Sequence, residues 1–269
     1  MGPEHEDAAA ETRAGEIRRF GLSTRWVHRT TAFLFGVCIA TAAVLYVPQF
    51  AILFGRRPLV MTVHLYSGLA LPVPTLLGWL AGLGLRDRSG AGFRRDTAEL
   101  NRFGPADGAW LRDHLIVGPA RRLRRRPPAT STSITTTAAA AVSAAGAQNS
   151  GKILLGGKFN AGQKLYAAGV AGSIVVFLGT GLLMWFGADL NLPDRYRTGA
   201  TFVHDLFAYG IFFAACGHLW MASRDPVARA GMRTGYVPSW WATTEHPHWD
   251  TRTNADPAPI TQKIGESSR

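Results

Sequence analysis

The sequence predicts an all-α integral membrane protein: a four-helix bundle with both termini in the cytoplasm and a long, partly disordered loop between the second and third helices. Two observations predict this class. Four apolar stretches are each long enough to cross the hydrocarbon core, which takes about 20 residues; they lie at 30–50, 62–85, 165–186 and 201–222. None of them carries the polar stripe at every third or fourth position that a helix of a soluble bundle presents to water.

Basic residues are distributed unevenly among the connecting segments, and their placement sets the expected orientation. Of the 29 Lys and Arg residues, 25 lie in the N-terminal segment, the long middle segment and the C-terminal tail, and 4 lie in the two short connections. Cytoplasmic loops carry the excess of basic residues, so both termini and the middle segment are expected in the cytoplasm. The net charge of +11 therefore indicates membrane topology, and no nucleic acid partner is expected.

The first span is expected to follow a polar N-terminal extension at residues 1–24. That extension is acidic at its start and lacks the apolar core of a signal peptide, so the span itself is expected to direct insertion. Trp26 marks the membrane interface, and His28 lies just inside the cytoplasmic end. Pro48 is expected to end the helix near the outer surface, because proline breaks the helical hydrogen-bond ladder.

The second span returns to the cytoplasm and places His64 in its first, outer turn. Pro72 and Pro74 in its middle predict a bend. The third span follows the polar sequence GKFNAGQK and contains no histidine, whereas the fourth contains His204 and His218. These two are 14 residues apart, which on a helix is about 21 Å of rise and leaves them within about 40° of the same face. One face of the fourth span therefore presents an imidazole near each membrane surface.

Residues 86–157 separate the second and third spans and are predicted to form a cytoplasmic insertion in a membrane domain at 25–222, which a cytoplasmic tail follows at 223–269. The second half of the insertion is poor in large apolar residues, which predicts disorder. The arginine cluster at 121–126 has two interpretations. It belongs to a disordered insertion whose basic residues follow the topology rule, or to an arm that docks on lipid headgroups or a partner.

The expected topology assigns a depth to each histidine of the spans. His28 and His218 both lie near the cytoplasmic face, and we call them the inner pair. His64 and His204 both lie near the outer face, and we call them the outer pair. Ionisable residues within a membrane are costly and mark functional sites. The two depth-matched pairs are therefore the candidate functional residues.

Two imidazoles from two helices at equal depth suit the axial ligation of a haem iron, since a flat macrocycle fits between the helices of a bundle. Zinc would require more ligands, and Asp205 is the one candidate at a matching depth. A small residue lies one turn from each histidine toward the bilayer centre: Ala32, Gly68, Ala208 and Ala214. No CxxCH attachment motif is present, so two b-type haems are expected. Any one histidine taken alone could equally be a hydrogen-bonded packing residue.

The remaining histidines and cysteines have simpler interpretations. His246 and His248 form an HxH pattern on an expected loop of the tail, where solvated side chains are expected rather than metal ligands. Cys38 and Cys216 both fall within apolar spans, and their spacing suggests neither a disulfide nor a zinc site. We expect both to be packing residues.

Six short motifs resemble one family of membrane cytochromes. They are RWVHR with His28, VHLYSG with His64, GKFNAGQK before the third span, VHDLFAYG with His204, GHLWMAS with His218, and EHPHW in the tail. With these motifs the chain resembles the gamma subunit of membrane-bound formate dehydrogenase, a four-helix di-haem cytochrome b related to the cytochromes b of nickel-iron hydrogenases. The resemblance covers residues 26–86 and 157–250, and KFNAGQK is its most specific part.

The resemblance implies a quinone site at the head of the third helix, beside the inner haem. On the matched motif, Asn160, Gly162 and Gln163 would line this pocket, and His218 would face the quinone as well as ligate the inner haem. A quinone carbonyl requires a donor such as a side-chain amide, and glycine lets a ring approach the backbone. Without the resemblance, the same residues would be interpreted as a polar helix start.

The function that the resemblance implies is a di-haem cytochrome b subunit of a respiratory formate dehydrogenase, a multi-pass protein of the bacterial inner membrane. Its expected partners are an iron-sulfur beta subunit, a molybdenum or tungsten catalytic alpha subunit, membrane lipid, and menaquinone or another quinone. Electrons would pass from the iron-sulfur subunit through two b haems to the quinone, and no substrate dehydrogenase site is expected in this chain. One alternative is the cytochrome b subunit of another respiratory complex, such as a hydrogenase or thiosulfate reductase. Another is a haem-free membrane scaffold or proton relay in which the histidines titrate.

Overall fold

Four long helical segments and a set of shorter elements make up the fold. The computed structural model describes residues 15–84, 88–117, 157–247 and 249. In chain order the elements are β1 (Glu16–Arg18), α1 (Leu22–Tyr46), α2 (Pro48–Phe54), α3 (Arg57–Ala70), α4 (Val73–Gly84), α5 (Arg88–Leu100), α6 (Pro105–Arg112), α7 (Ala161–Phe186), α8 (Asp194–Arg224), α9 (Pro226–Thr234), β2 (Tyr236–Pro238) and α10 (Ser239–Glu245). A π-helical turn, Asp113–Val117, follows α6.

Among the described residues, four segments are long and apolar enough to cross a membrane: α1, α3 together with α4 as far as Gly82, α7, and α8. The prediction of four spans is therefore confirmed in length and composition. The second span is interrupted at Leu71 and Pro72, between α3 and α4, because the prolines there remove backbone donors. The first long helix ends at Tyr46, just before Pro48 opens the short α2. Both interruptions lie where the prolines predict them.

The four spans are arranged as two hairpins. Helix α1 packs along α3, and α7 packs along α8. Within the described ranges, α8 makes fewer close backbone approaches to α1 and α3 than to its hairpin partner α7. A seam therefore separates α8 from the first hairpin, and side chains from both hairpins meet across it.

The segments outside the spans form a cap at one end of the bundle. Strand β1 pairs antiparallel with β2, with Ile17 opposite Val237. A small hydrophobic cluster lies under this two-stranded sheet and contains buried Val237, Trp241, Ala242 and Trp249. Because β1 precedes α1 and β2 follows α8, the two ends of the membrane domain lie on the same side of the bundle.

Residues 88–117 differ from the prediction of a loop between the second and third spans. They form α5 and α6 and the π-helical turn; α5 packs against α4 and α1, and α6 packs against α7. One aromatic side chain supplies much of the contact: Phe93 is buried, and its ring lies so close to Gly78 that a Cβ there would be 3.0 Å away. The prediction was wrong here because a helix lying on the bundle needs few apolar residues. The arginine cluster at 121–126 and the low-complexity half lie outside the described residues.

Candidate functional site

The inner pair joins the two hairpins near the cap. His28 is in the second turn of α1, and His218 is in the last two turns of α8. Their ring centres are 6.2 Å apart, with 55° between the ring planes. The ring of His218 also stacks on Tyr166 of α7, with the ring centres 4.9 Å apart and 15° between the planes. The structure therefore brings together the two histidines that the sequence assigns to one depth.

The outer pair repeats this arrangement at the other end of the same seam. His64 of α3 and His204 of α8 have ring centres 6.3 Å apart and 59° between their planes. The edge of Phe177 packs against the ring of His204 at 5.0 Å. Next to His204, the hydroxyl of Tyr46 donates a hydrogen bond to the Asp205 carboxylate.

The two ring separations can be compared with the geometry of axial ligation. A metal–imidazole bond is about 2 Å long, and about 1 Å more from the bound nitrogen to each ring centre separates two axial rings by about 6 Å. Both pairs have this separation. Among the described residues, no His, Cys, Asp or Glu side chains are grouped in threes or more around a possible metal position. The donor set at each pair is two imidazoles, which is the set that a bis-histidine haem requires.

Hydrogen bonds fix the orientation of both outer histidines. The Nδ1 atom of His64 is 2.8 Å from the hydroxyl of Thr41 on α1, and the Nδ1 atom of His204 is 2.8 Å from the hydroxyl of Thr180 on α7. In each case the threonine lies on the hairpin partner of the helix that carries the histidine. The other ring nitrogen, Nε2, is then left for a ligand, as in metal sites where a second partner orients the imidazole.

Two glycines lie beside the outer pair and leave local free space there. Gly68 lies one turn after His64, and a Cβ atom added there would meet nothing within 4 Å. Gly181 lies next to the outer pair, and a Cβ there would be 3.8 Å from the ring of His204. The donor set, the ring separation and the open seam together fit a porphyrin.

A second candidate site is a polar cavity of about 210 Å³ in the cap. Its wall includes the two predicted quinone-site amides together with charged and aromatic side chains: Arg19, Trp110, His114, Asn160, Gln163, Asp225, Ala228, Trp241, Glu245 and His246. Asn160 and Gln163 also form a capping box at the start of α7. The side-chain oxygen of each accepts a hydrogen bond from the backbone N–H of the other. Their amide nitrogens have no hydrogen-bond acceptor within the part of the chain that the structure describes, so both can donate into the cavity.

The other two predicted quinone-site residues, Gly162 and His218, are not among the described residues of the cavity wall. Gly162 faces Trp110, and a Cβ there would be 3.0 Å from that indole ring. One helical turn later on α7, Tyr166 stacks on His218. The first two turns of α7 therefore carry both Gln163, in the cavity wall, and Tyr166, which contacts His218 of the inner pair.

His246 is buried, so the expectation of a solvated histidine in the tail is wrong for this residue. Its side chain is 7% exposed; its Nδ1–H donates to the carbonyl of Gly157, and its Nε2 accepts from Arg19. Burial, together with the Arg19 cation, lowers the pKa of His246 to about 4. The residue is therefore neutral at physiological pH. His248 lies outside the described residues.

Arg19 is the most unusual charge of the cap, because it is 2% exposed and forms no ion pair among the described residues. It donates to the carbonyl of Lys158 and lies over the rings of Trp241 and Phe20. Burial lowers its pKa to about 10, so it stays charged at neutral pH. Its Nε and Nη1 atoms are buried without partners in the described structure.

Five residues of these sites were missed by the sequence analysis: Thr41, Thr180, Tyr166, Arg19 and, as a buried group, His246. For His246 the EHPHW motif is an available signal, because it belongs to the resemblance, although an HxH pattern on a loop predicts solvated histidines. No signal in the sequence identifies the two threonines. Thr and Ser occur throughout the spans, and contact with a histidine on another helix depends on how the helices pack.

Comparison with known proteins agrees with the motifs. No protein-family model matches the chain. The chain is 30% identical over 96 residues to the formate dehydrogenase cytochrome b556 subunit of Haemophilus influenzae, which covers 35% of this chain and 40% of that protein. It is also 30% identical over 103 residues to the nitrate-inducible formate dehydrogenase cytochrome b556(Fdn) subunits of Escherichia coli K12 and Shigella flexneri, which covers 38% of this chain and 47% of each.

The matched region spans less than half the length of these curated relatives. The helical fold, the four membrane-length spans and the matched region agree with one another. They confirm the resemblance found in the sequence: over more than a third of its length, this chain is similar to the cytochrome b556 subunits of formate dehydrogenases.

Proposed function

We propose that this chain is the membrane cytochrome b subunit of a formate dehydrogenase in the bacterial inner membrane, where it carries electrons from an iron-sulfur subunit through two b haems to a quinone. The observation that carries this proposal is the geometry of the two histidine pairs in the seam. The ring centres are 6.2 Å apart within the inner pair and 6.3 Å apart within the outer pair. A b haem at each pair would supply a one-electron carrier at each end of the bundle. His28 and His218 would hold the inner one, and His64 and His204 the outer one.

The partners follow from this function. The relatives are named as formate dehydrogenase subunits, so an iron-sulfur subunit and a molybdenum or tungsten catalytic subunit are the proposed electron source. If the cap is cytoplasmic, electrons move inward against a potential that is negative inside. Each such electron stores about 2.3 kcal/mol per 100 mV. Quinone reduction near the cap would then conserve energy without a pump.

Quinone binding is proposed at the amides of Asn160 and Gln163. Their oxygens are used in the capping box, whereas their amide nitrogens remain available as donors to a quinone carbonyl. Tyr166 and His218, stacked one turn deeper, connect this position to the inner pair. The helix-start interpretation and the quinone interpretation are therefore compatible, because they use different atoms of the same two side chains.

This division of atoms determines which variants test the site. A leucine at either position would remove the cap as well as the donor, and losing an N-cap alone costs about 1 kcal/mol. Asn160→Asp and Gln163→Glu keep the capping oxygens and replace each amide donor by a carboxylate oxygen, which also adds a negative charge. Asn101→Asp is the matched control for an added carboxylate, because Asn101, the residue after α5, is an exposed amide that donates to the carbonyl of Thr97 and is not among the described residues of the cavity wall.

The experiment uses membranes that contain the whole complex, in which the donor substrate reduces the haems and an added quinone reoxidises them. In the Asn160→Asp/Gln163→Glu double variant, reoxidation is expected to slow by about tenfold or more, equivalent to about 1.4 kcal/mol, because a carbonyl loses its donors. Haem content, reduction by the donor and the Asn101→Asp rate should match the wild type. Reoxidation of the double variant at the wild-type rate would rule out this quinone site.

A further inference from the structure

The two histidine pairs differ in what holds their rings. Both rings of the outer pair make hydrogen bonds through Nδ1 to threonine hydroxyls, at 2.8 Å each. Neither ring of the inner pair makes a hydrogen bond within the described residues, and His218 is held instead by stacking on Tyr166. This difference would affect any group bound between the rings, because hydrogen bonds to an axial ligand change its basicity.

The direction of the outer hydrogen bonds follows from counting protons. A threonine hydroxyl has one proton to donate. The hydroxyl of Thr41 donates it to the carbonyl of Val37, at 2.7 Å, and that of Thr180 donates it to the carbonyl of Val176, also at 2.7 Å. Each hydroxyl therefore accepts from its histidine. Both outer rings carry their proton on Nδ1 and keep the lone pair of Nε2 for a ligand.

Each outer ring thus begins a short chain of hydrogen bonds, from imidazole Nδ1–H to threonine hydroxyl to helix carbonyl. Linked hydrogen bonds polarise one another, so the hydroxyl that donates to a carbonyl is a better acceptor for the imidazole. A ring that donates in this way has a more basic Nε2, which favours the ferric over the ferrous state of an iron bound to it. The same chain occurs in both hairpins, with a hydroxyl bound to the carbonyl four residues earlier in its own helix.

We propose that Thr41 and Thr180 are positioning residues that fix the tautomer of His64 and His204 and thereby lower the reduction potential of the outer haem relative to the inner haem. This inference rests on the proposed function. It makes electron transfer from the outer to the inner haem favourable, which is the direction that delivers electrons to the amides in the cap.

The test is a redox titration of the cytochrome b absorbance in the whole complex. Thr41→Val and Thr180→Val remove the acceptor and keep the side-chain shape, whereas Thr41→Ser and Thr180→Ser retain the hydroxyl. Ser173→Ala is the matched control, because the Ser173 hydroxyl on α7 also donates to the carbonyl four residues earlier but has no histidine partner in the described part of the chain. The His64→Ala variant, which should lack the outer haem, shows which of the two waves belongs to it.

In the double valine variant, the outer wave should move to higher potential by the equivalent of about a tenfold change in the ratio of ferric to ferrous haem, about 59 mV for one electron. The inner wave, the serine variants and Ser173→Ala should titrate like the wild type. Selective loss of the outer haem in the valine variant, with retention in the serine variants, would equally support the positioning role.

An outer wave that stays at its wild-type potential in the double valine variant would overturn this inference while leaving the proposed function intact. Equal shifts in the valine and serine variants, or an equal shift of the inner wave, would also overturn it. Absence of haem from the wild-type complex would instead overturn the proposed function, and this inference with it.

Discussion

His246 lies where three segments of the cap meet: the end of α10, the residues before α7 and the residues before α1. It donates to Gly157 through Nδ1 and accepts from Arg19 through Nε2, and the second of these interactions requires the neutral ring. Its pKa is lowered to about 4, by burial first and then by the Arg19 cation. A histidine in the unfolded chain has a pKa of about 6.5. Between these two values, the unfolded chain binds a proton that the folded chain does not.

This difference predicts that the stability of the cap depends on pH. Because the folded pKa of His246 is depressed, its contribution to stability is complete above about pH 6.5 and is lost as the pH falls toward 4. Between pH 7.5 and 5 the loss should be about 2 kcal/mol. The thermal midpoint of the wild type should therefore fall more over this range than that of His246→Gln, since glutamine can make both hydrogen bonds without titrating. Equal pH dependence in the two proteins would contradict this role.

Some residues of the sites can be predicted from the sequence and others cannot. The pairs His28 with His218 and His64 with His204 can be predicted, because the boundaries and direction of each span fix the depth of its histidines in the membrane. The threonine partners required the rotation of each helix about its axis, which the sequence does not specify. The burial of His246 required knowing that the tail folds back on the chain before α1. In composition alone, a histidine between Glu245 and Pro247 looks solvated.

At the scale of elements, α5 and α6 are fixed to α7 by buried ion pairs. Lys158, just before α7, pairs with Asp96 of α5, and the two side chains are 4% and 6% exposed. Lys164, in the first turn of α7, pairs with Asp107 of α6 at 2.9 Å. Burial lowers the pKa of Lys158, and the Asp96 carboxylate opposes that shift. The first part of the insertion is thus ordered by charge pairs with the polar start of the third span.

Removing the Asp96 carboxylate should loosen the insertion, because it breaks the pair with Lys158 and also the hydrogen bond from the hydroxyl of Thr24 on α1. Removing one partner of a buried ion pair leaves an uncompensated charge and costs about 3–5 kcal/mol, so Asp96→Ala should lower the thermal midpoint and expose α5 to protease. Asp113→Ala is the matched control, because its ion pair with Arg112 is largely exposed and such pairs contribute about 1 kcal/mol or less. If both variants resisted protease as the wild type does, the Asp96 pair would not hold α5.

Composition predicts the membrane-length helices but not the helices of the insertion, α5 and α6. Apolar length found all four spans, and Pro72 and Pro74 located the interruption between α3 and α4, because both signals are local. The segment at 88–117 reads as polar and loop-like, since its ordering depends on Phe93 and on carboxylates whose partners lie more than 50 residues away in sequence. Long-range charge pairing leaves no periodic signature in a single sequence.

At the scale of the whole molecule, the two proposed functions lie in different parts of the chain: haem binding between the two hairpins and quinone binding in the cap. The seam between the hairpins holds two donor sets of equal geometry, one near each end of the spans. The cap lies at the end of the bundle that carries His28 and His218, and it contains the cavity with Asn160 and Gln163. The proposed path from the outer pair through the inner pair to the amides would run along one helix, α8, and end at the start of α7.

The haem content of the purified complex tests this arrangement most directly. Pyridine haemochrome analysis should give two b haems per chain, because there are two pairs of imidazoles at the separation of axial ligands. His64→Ala and His28→Ala should each leave one. The assay is made on intact membranes as well as after purification, so that loss in detergent is detected. Zero or one haem per wild-type chain in both preparations would contradict the assignment of the two histidine pairs as haem sites.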